Sequence, residues 1–177
     1  MFFLSDQQKY LLAVLHEIGC IRRAQAAVLL HRKFGSSPAA VTAILKQLKM
    51  LGKIREYDNV LSTIGESADT PMLQAVDLAL AVFANDAPRL ISGVDPFVLS
   101  AWNESQDMLL QIMHVPIGLE KSRSMELQKL SSCISRQIVV LLLEEAQQCN
   151  ILLPPPGVLL AYPDETGRLT ITQRKEG

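Results

Sequence analysis

Aromatic residues are scarce in this chain, 5% of its 177 residues, and it holds only three cysteines. So few rings leave no stacking platform for single-stranded nucleic acid. Cys20, Cys133 and Cys149 are far apart and odd in number, and none forms a CxxC pair, which supports neither a zinc centre nor a disulfide framework. A reducing cytoplasm is the expected setting. Long apolar runs are missing as well. The longest candidate, 138–143, is closed by Glu144 and Glu145, well short of the roughly 18 residues a membrane helix needs. The N-terminus MFFLSDQQKY lacks the basic start, long apolar stretch and cleavage site of a signal peptide. There is no GxSxG, no P-loop and no dinucleotide-binding glycine pattern. What is left is a globular composition, 49% hydrophobic and 20% charged.

The charge is unevenly placed. Residues 1–64 carry nine basic and four acidic side chains, a balance of +5, and the remainder carries eight basic and fourteen acidic, or −6. A basic module joined to an acidic one is the simplest account, and only the first has the charge for nucleic acid.

Within the basic part, the stretch SSPAAVTAILKQLKMLGKIREYDNVLST, 36–63, is the most structured by pattern. Ser37 suits a helix cap and Pro38 its first turn, where a missing N–H costs nothing. Val41, Ile44, Leu45, Leu48 and Leu51 recur at helical spacing and predict one buried face, with Thr42, Lys46 and Lys49 on the other. Gly52 ends the helix. Residues 53–57 and 60–63, flanking Asp58-Asn59, read as a short hairpin. Upstream, Ser5 opens a helix whose buried face is Tyr10, Leu11, Val14, Leu15 and Ile18, stopped by Gly19. Cys20-Ile21 make a short extended entry to a second helix, 22–34, with Ala24, Ala27, Val28, Leu30 and Phe34 as its stripe. Helix, helix, helix, hairpin with short connections resembles the winged form of the helix-turn-helix.

Residues 65–69, GESAD, suit a linker, and a helix over 70–85 follows with Leu73, Val76, Leu80 and Phe83 at helical spacing. Beyond Pro88 the pattern is mixed: strands over 97–102 and 108–115, a polar helix within 118–130, a buried strand over 137–143, a short helix over 144–148, and a hairpin over 158–162 and 168–172. The last residues, QRKEG, are expected to fray. The expected fold class is therefore α+β, an N-terminal winged helix-turn-helix (1–64), a linker and connecting helix (65–88), and a small mixed α/β domain (89–173).

The layout of that last domain resembles a small restriction-endonuclease-like fold. With YLLAVLHEIGCIRRAQAAVLL, VTAILKQLKMLGKI, RQIVVLLLEEAQQ and GVLLAYPDETGRLTIT in this order, the chain resembles the replication-relaxation family, accessory proteins of plasmids and other mobile elements. Metal-dependent nucleases of that fold use an acid followed by Asp/Glu-x-Lys. Here the residues two places before the lysines are Gln7, His31, Ile44, Gln47, Leu51, Leu119, Leu127 and Gln173, none acidic. Asp95, Glu104 and Asp107 offer isolated carboxylates, fewer than a hard cation wants. The resemblance thus implies a nuclease-like domain without a cleavage site. Glu144 and Glu145 begin a solvated helix, His114 is a packed or hydrogen-bonded strand residue, and neither His16 with Cys20 nor His31 assembles a metal site. No catalytic residue, metal or cofactor is assigned.

The expected function is non-enzymatic binding of double-stranded DNA. Lys46 and Lys49, with Thr42 a turn earlier, are placed to enter a major groove; Lys53 and Arg55 on the wing to touch the flanking backbone; Ser36 and Ser37 to donate to a phosphate. Gln47 and Thr42 are the neutral side chains able to read base edges, and the helix has no arginine for a bidentate guanine contact. The partner expected besides DNA is a second copy, paired through the helix over 71–85 or through free strand edges of the acidic module. The alternatives are a protein-interaction adaptor that does not bind DNA, and a residual metal-dependent nuclease.

Overall fold

The computed structural model of the chain describes residues 3–130 and 136–173. Cys133 and residues 174–177 of the end expected to fray, 173–177, lie outside them, whereas Gln173 does not fray but pairs with Leu159 in the last strand. The described residues form a mixed α+β structure of five α-helices and two sheets, divided into two compact units between Ile91 and Ser92.

In the first unit, α1 (Asp6–Ile18) begins with a reciprocal cap: Gln8 N–H donates to Ser5 Oγ, and Ser5 N–H donates to Gln8 Oε1. Leu11, Leu15 and Ile18 are buried, whereas Tyr10 is half-buried and meets Phe34 edge-on, ring centroids 5.5 Å apart. The short β1 (Cys20–Arg22) leads into α2 (Arg23–Phe34) and α3 (Pro38–Met50). β2 (Arg55–Tyr57) and β3 (Val60–Ser62) form a hairpin across Asp58 and Asn59, both at positive φ as a two-residue turn of this kind demands. β3 pairs antiparallel with both neighbours, in the order β1-β3-β2.

Two expected buried faces differ. α2 buries Gln25, Ala26, Leu29 and Leu30; Ala24 is exposed and Ala27 and Val28 are half-buried. The helix is rotated because Gln25 is a satisfied core residue. Its Oε1 accepts from Arg22 N–H at 2.7 Å, and its Nε2 donates to Leu73 O at 2.7 Å and Asp77 Oδ1 at 2.6 Å. A buried amide with its partners supplied costs little, and it draws its neighbour Ala26 inward. On α3, Val41, Ile44, Leu45 and Leu48 are buried as expected, but Leu51 is 37% exposed. The helix has ended there, and Ile54, just after the turn at Gly52, fills the core instead.

α4 (Thr70–Val82), capped by Asp69 accepting from Met72 N–H, packs on β1 and α2. It stops at Val82, three residues short of the expected Asn85. One Arg32 nitrogen, Nη1, donates to the carbonyls of Leu80, Phe83 and Asp86 at 3.1, 2.9 and 3.1 Å, holding the chain as it leaves the helix. Met72, Leu73, Ala75, Val76, Leu78, Ala79 and Leu80 are already packed, so α4 does not offer the apolar pairing face expected of it.

A six-stranded sheet, of which all but residues 89–91 belongs to the second unit, runs in sequential order: β4 (Arg89–Ser92), β5 (Leu99–Asn103), β6 (Met108–Val115), β7 (Gln137–Leu143), β8 (Leu159–Pro163) and β9 (Leu169–Gln173). β4 was not expected from the sequence. β5–β6 and β8–β9 are antiparallel, and β6–β7–β8 are parallel. α5 (Glu120–Leu130) makes the crossover that parallel β6 and β7 require. Val140 to Leu143 are fully buried, both faces of β7 alike, which is why the strand reads as an unbroken apolar run. Met113, Val115, Leu127, Leu141, Leu143 and Leu160 share one core cluster.

A 3-10 turn, Ala146–Asn150, stands between β7 and β8, two residues later than the short helix expected. Within it Gln148, 1% exposed, ties the ends of two parallel strands together. Its Nε2 donates to Val115 O and to Glu120 Oε1, both at 3.0 Å, while its Oε1 accepts from Glu144 and Glu145 N–H at 2.8 and 3.1 Å. Gln148→Leu strips all four partners at once. It is expected to cost about 3 kcal/mol, seen as a lower urea midpoint at unchanged slope. A cost under about 1 kcal/mol would mean that water replaces the amide and the strand ends are open.

Candidate nucleic-acid interface

The basic candidates all lie in the first unit, on α2, α3 and the hairpin. α3 buries one face, so its other face presents Thr42, Ala43, Lys46, Gln47 and Lys49 to solvent. β2 alternates: Arg55 and Tyr57 point outward, Tyr57 being 86% exposed, while Glu56 between them turns in toward the helices.

Lys46, Lys53 and Arg55 are exposed, and among the described residues none of them has an ion-pair partner. Ser37 is also exposed; its Oγ accepts from Ala40 N–H at 3.2 Å as the cap of α3, which leaves its own hydroxyl proton free to donate. These four stand as the sequence places them.

The other four are engaged within the protein. Ser36 is 5% exposed, its Oγ accepting from Gln7 Nε2 at 3.2 Å and its carbonyl 3.2 Å from His31 Nδ1. It fixes the turn between α2 and α3 and is not presented to a phosphate. Thr42 Oγ1 donates back to Pro38 O at 3.0 Å and accepts from Arg23 Nη2 at 3.3 Å. Gln47 Oε1 accepts from Gln8 Nε2 at 2.7 Å, which ties it to α1. Lys49 is not a free cation: its ammonium donates to Glu56 Oε2.

Arg23, which the sequence reading passed over, shares that carboxylate, Nη1 standing 3.1 Å from Glu56 Oε1. The available signal was the Arg22-Arg23 doublet at a helix start beside a hairpin holding an acid. Arg22 itself is spent on Asp77 and the Leu73 carbonyl.

Glu56 thus bridges α2, α3 and the hairpin. The Lys49 ammonium foremost, then Arg23, hold its carboxyl below the usual carboxylate range against the opposing effect of its burial. A group depressed in the folded state stabilises fully above its unfolded pKa, about 4.3, and that contribution is lost as pH falls through the folded value. The margin in Tm of the wild type over Glu56→Gln should therefore be full at neutral pH and shrink as pH falls below the unfolded value. A margin independent of pH would show that the charge on Glu56 contributes nothing.

Beside this cluster, Ala24, Ala27 and Val28 face an open groove of about 890 Å³, with Pro38, Val41 and Thr42 on its other wall. Three of the five side chains expected on the buried stripe of α2 thus line a solvent-facing cleft.

In the second unit, His114 Nε2 lies 3.4 Å from Glu144 Oε1, whose other oxygen accepts from Ile117 N–H. Asp107 pairs with Arg136 at 3.0 Å, and Asp95 lies 3.8 Å from Arg123. No group of three or more His, Cys, Asp or Glu able to hold a metal ion occurs among the described residues, and no helix there is long and apolar enough to cross a membrane.

No family model matches the chain, and comparison with curated proteins and with solved structures finds no significant similarity.

Proposed function

We propose that the first unit is a winged-helix domain that holds duplex DNA through its phosphates. The observation that carries this reading is the set of exposed cations without an ion-pair partner among the described residues: Lys46 on the outer face of α3, Lys53 before β2 and Arg55 at its start, within residues 1–64, whose balance is +5 (the unit to Ile91 as a whole carries ten basic and eight acidic residues, or +2). The order of three helices, then a hairpin whose second strand pairs with β1, supports α3 as the groove-entering helix and β2–β3 as the wing. Sequence choice on this reading is weak. Thr42 and Gln47, the neutral base-reading candidates, are drawn back to Arg23 and Gln8, and α3 has no arginine.

The acidic second unit is read as a nuclease-like domain without a cleavage site, used for interaction or pairing. The outermost strands of the six-stranded sheet, β4 and β9, are the pairing elements left once α4 is accounted for. A role as an accessory factor of a mobile element, as in the replication-relaxation proteins, belongs to the same proposal.

The test is duplex binding across a salt series. About three phosphate contacts predict log K falling with log salt at a slope near −3. No binding at low salt, or binding indifferent to salt, would remove the reading. The groove beside α2 favours the rival, a domain docking an apolar segment of another protein, and salt-indifferent binding of a protein partner is its signature.

A further inference from the structure

Arg23 and Lys49 come from different helices and converge on one carboxylate. Glu56 Oε1 accepts from Arg23 Nη1 at 3.1 Å and Oε2 accepts from Lys49 Nζ, while Arg23 Nη2 stands 3.3 Å from Thr42 Oγ1. The side chains of Arg23 and Lys49 are 38% and 39% exposed and that of Glu56 is 14% exposed, so the two cations keep a solvent-facing side that their anion does not fill. A guanidinium and an ammonium set apart by the width of one carboxylate also match two non-bridging oxygens of a phosphodiester. Lys46, a free cation, lies on the same outer face of α3 as Lys49, one turn away.

We propose that Arg23 and Lys49, the guanidinium held in place by Thr42 Oγ1, form a seat for a DNA backbone phosphate, which Glu56 occupies in the free protein. The inference rests on the DNA-binding reading above and adds to it a competitor built into the wing. DNA entering the seat exchanges one anion for another on the same two cations. Because Glu56 already neutralises part of the seat, fewer counterions are released than bare cations would release, and affinity for any polyanion is held down.

The test compares wild type, Glu56→Gln and Asp58→Asn on a short labelled duplex. Asp58→Asn makes the same change of net charge in the hairpin turn, at a positive φ that Asn also tolerates. Glu56→Gln is expected to bind about tenfold tighter at low salt, with a salt slope steeper by about one, and Asp58→Asn to gain much less. Inorganic phosphate should also shift the Arg23 and Lys49 side-chain NMR signals of Glu56→Gln more than those of the wild type.

If the wild type binds duplex with the expected salt slope but Glu56→Gln gains no more than Asp58→Asn, the seat is overturned and the DNA reading stands. If phosphate shifts the two side chains in Glu56→Gln while no duplex binds either protein, Arg23 and Lys49 hold a free anion only, and the DNA reading falls together with the DNA seat that rests on it. Absence of both effects removes both.

Discussion

Replacing Lys46, Lys53 and Arg55 together by alanine is expected to weaken duplex binding roughly a hundredfold at low salt and to flatten the salt slope by about three. Each of the three is exposed and without an ion-pair partner among the described residues, so each is free to displace a counterion from the duplex. The loss should be the same on unrelated sequences, because phosphate contacts carry no base information. None of the three lies in the core, so unfolding should move by no more than about 0.5 kcal/mol, which separates lost contact from lost fold. Lys49 is left out deliberately. Removing it also frees Glu56 to repel the duplex, and the result would mix two effects. A triple variant that binds as the wild type does would place the DNA, if any, on another face.

The pattern of what the sequence disclosed has a physical basis. Elements fixed by their own residues were legible: the start of α1 at Ser5, Ser37-Pro38 at the start of α3, the Asp58-Asn59 turn, and the apolar run of β7. Each is a local rule whose partners lie within a few residues. Features fixed across the chain were not. Gln25 faces inward because a carbonyl and a carboxylate on α4, about fifty residues away, receive its amide, and no periodicity of apolar residues reveals that. The same holds for the candidate site. Solvent exposure of Lys46, Lys53 and Arg55 follows from helical and strand alternation, whereas the fates of Ser36, Gln47 and Lys49 depend on Gln7, Gln8 and Glu56 in other elements. β4 escaped because a four-residue strand at the end of a sheet carries too little pattern of its own.

Gly93→Ala is expected to be among the most damaging single substitutions in the second unit, costing about 3 kcal/mol. Gly93 follows β4, and its N–H donates to Val98 O at 3.1 Å, closing the loop that leads into β5. A Cβ at this position would stand 2.1 Å from Phe97 O, 2.5 Å from Phe97 C and 2.7 Å from Val98 C. All three are backbone atoms, so no change of rotamer relieves the overlap and the loop itself must move. That movement strains the Gly93–Val98 bond and the neighbouring bond from Val98 N–H to Ile112 O at 2.8 Å, which belongs to the β5–β6 edge. The requirement is for space and not for an unusual dihedral. Gly167 is the contrasting case: it sits at φ +78° with nothing within 4 Å of its would-be Cβ. Gly167→Ala should cost only the dihedral strain, about 1 kcal/mol. Trp102 in β5 is the chain's single tryptophan, so its fluorescence during urea unfolding reports on this unit directly. Equal shifts of the urea midpoint in the two variants would show that close backbone approach is not what reserves position 93 for glycine.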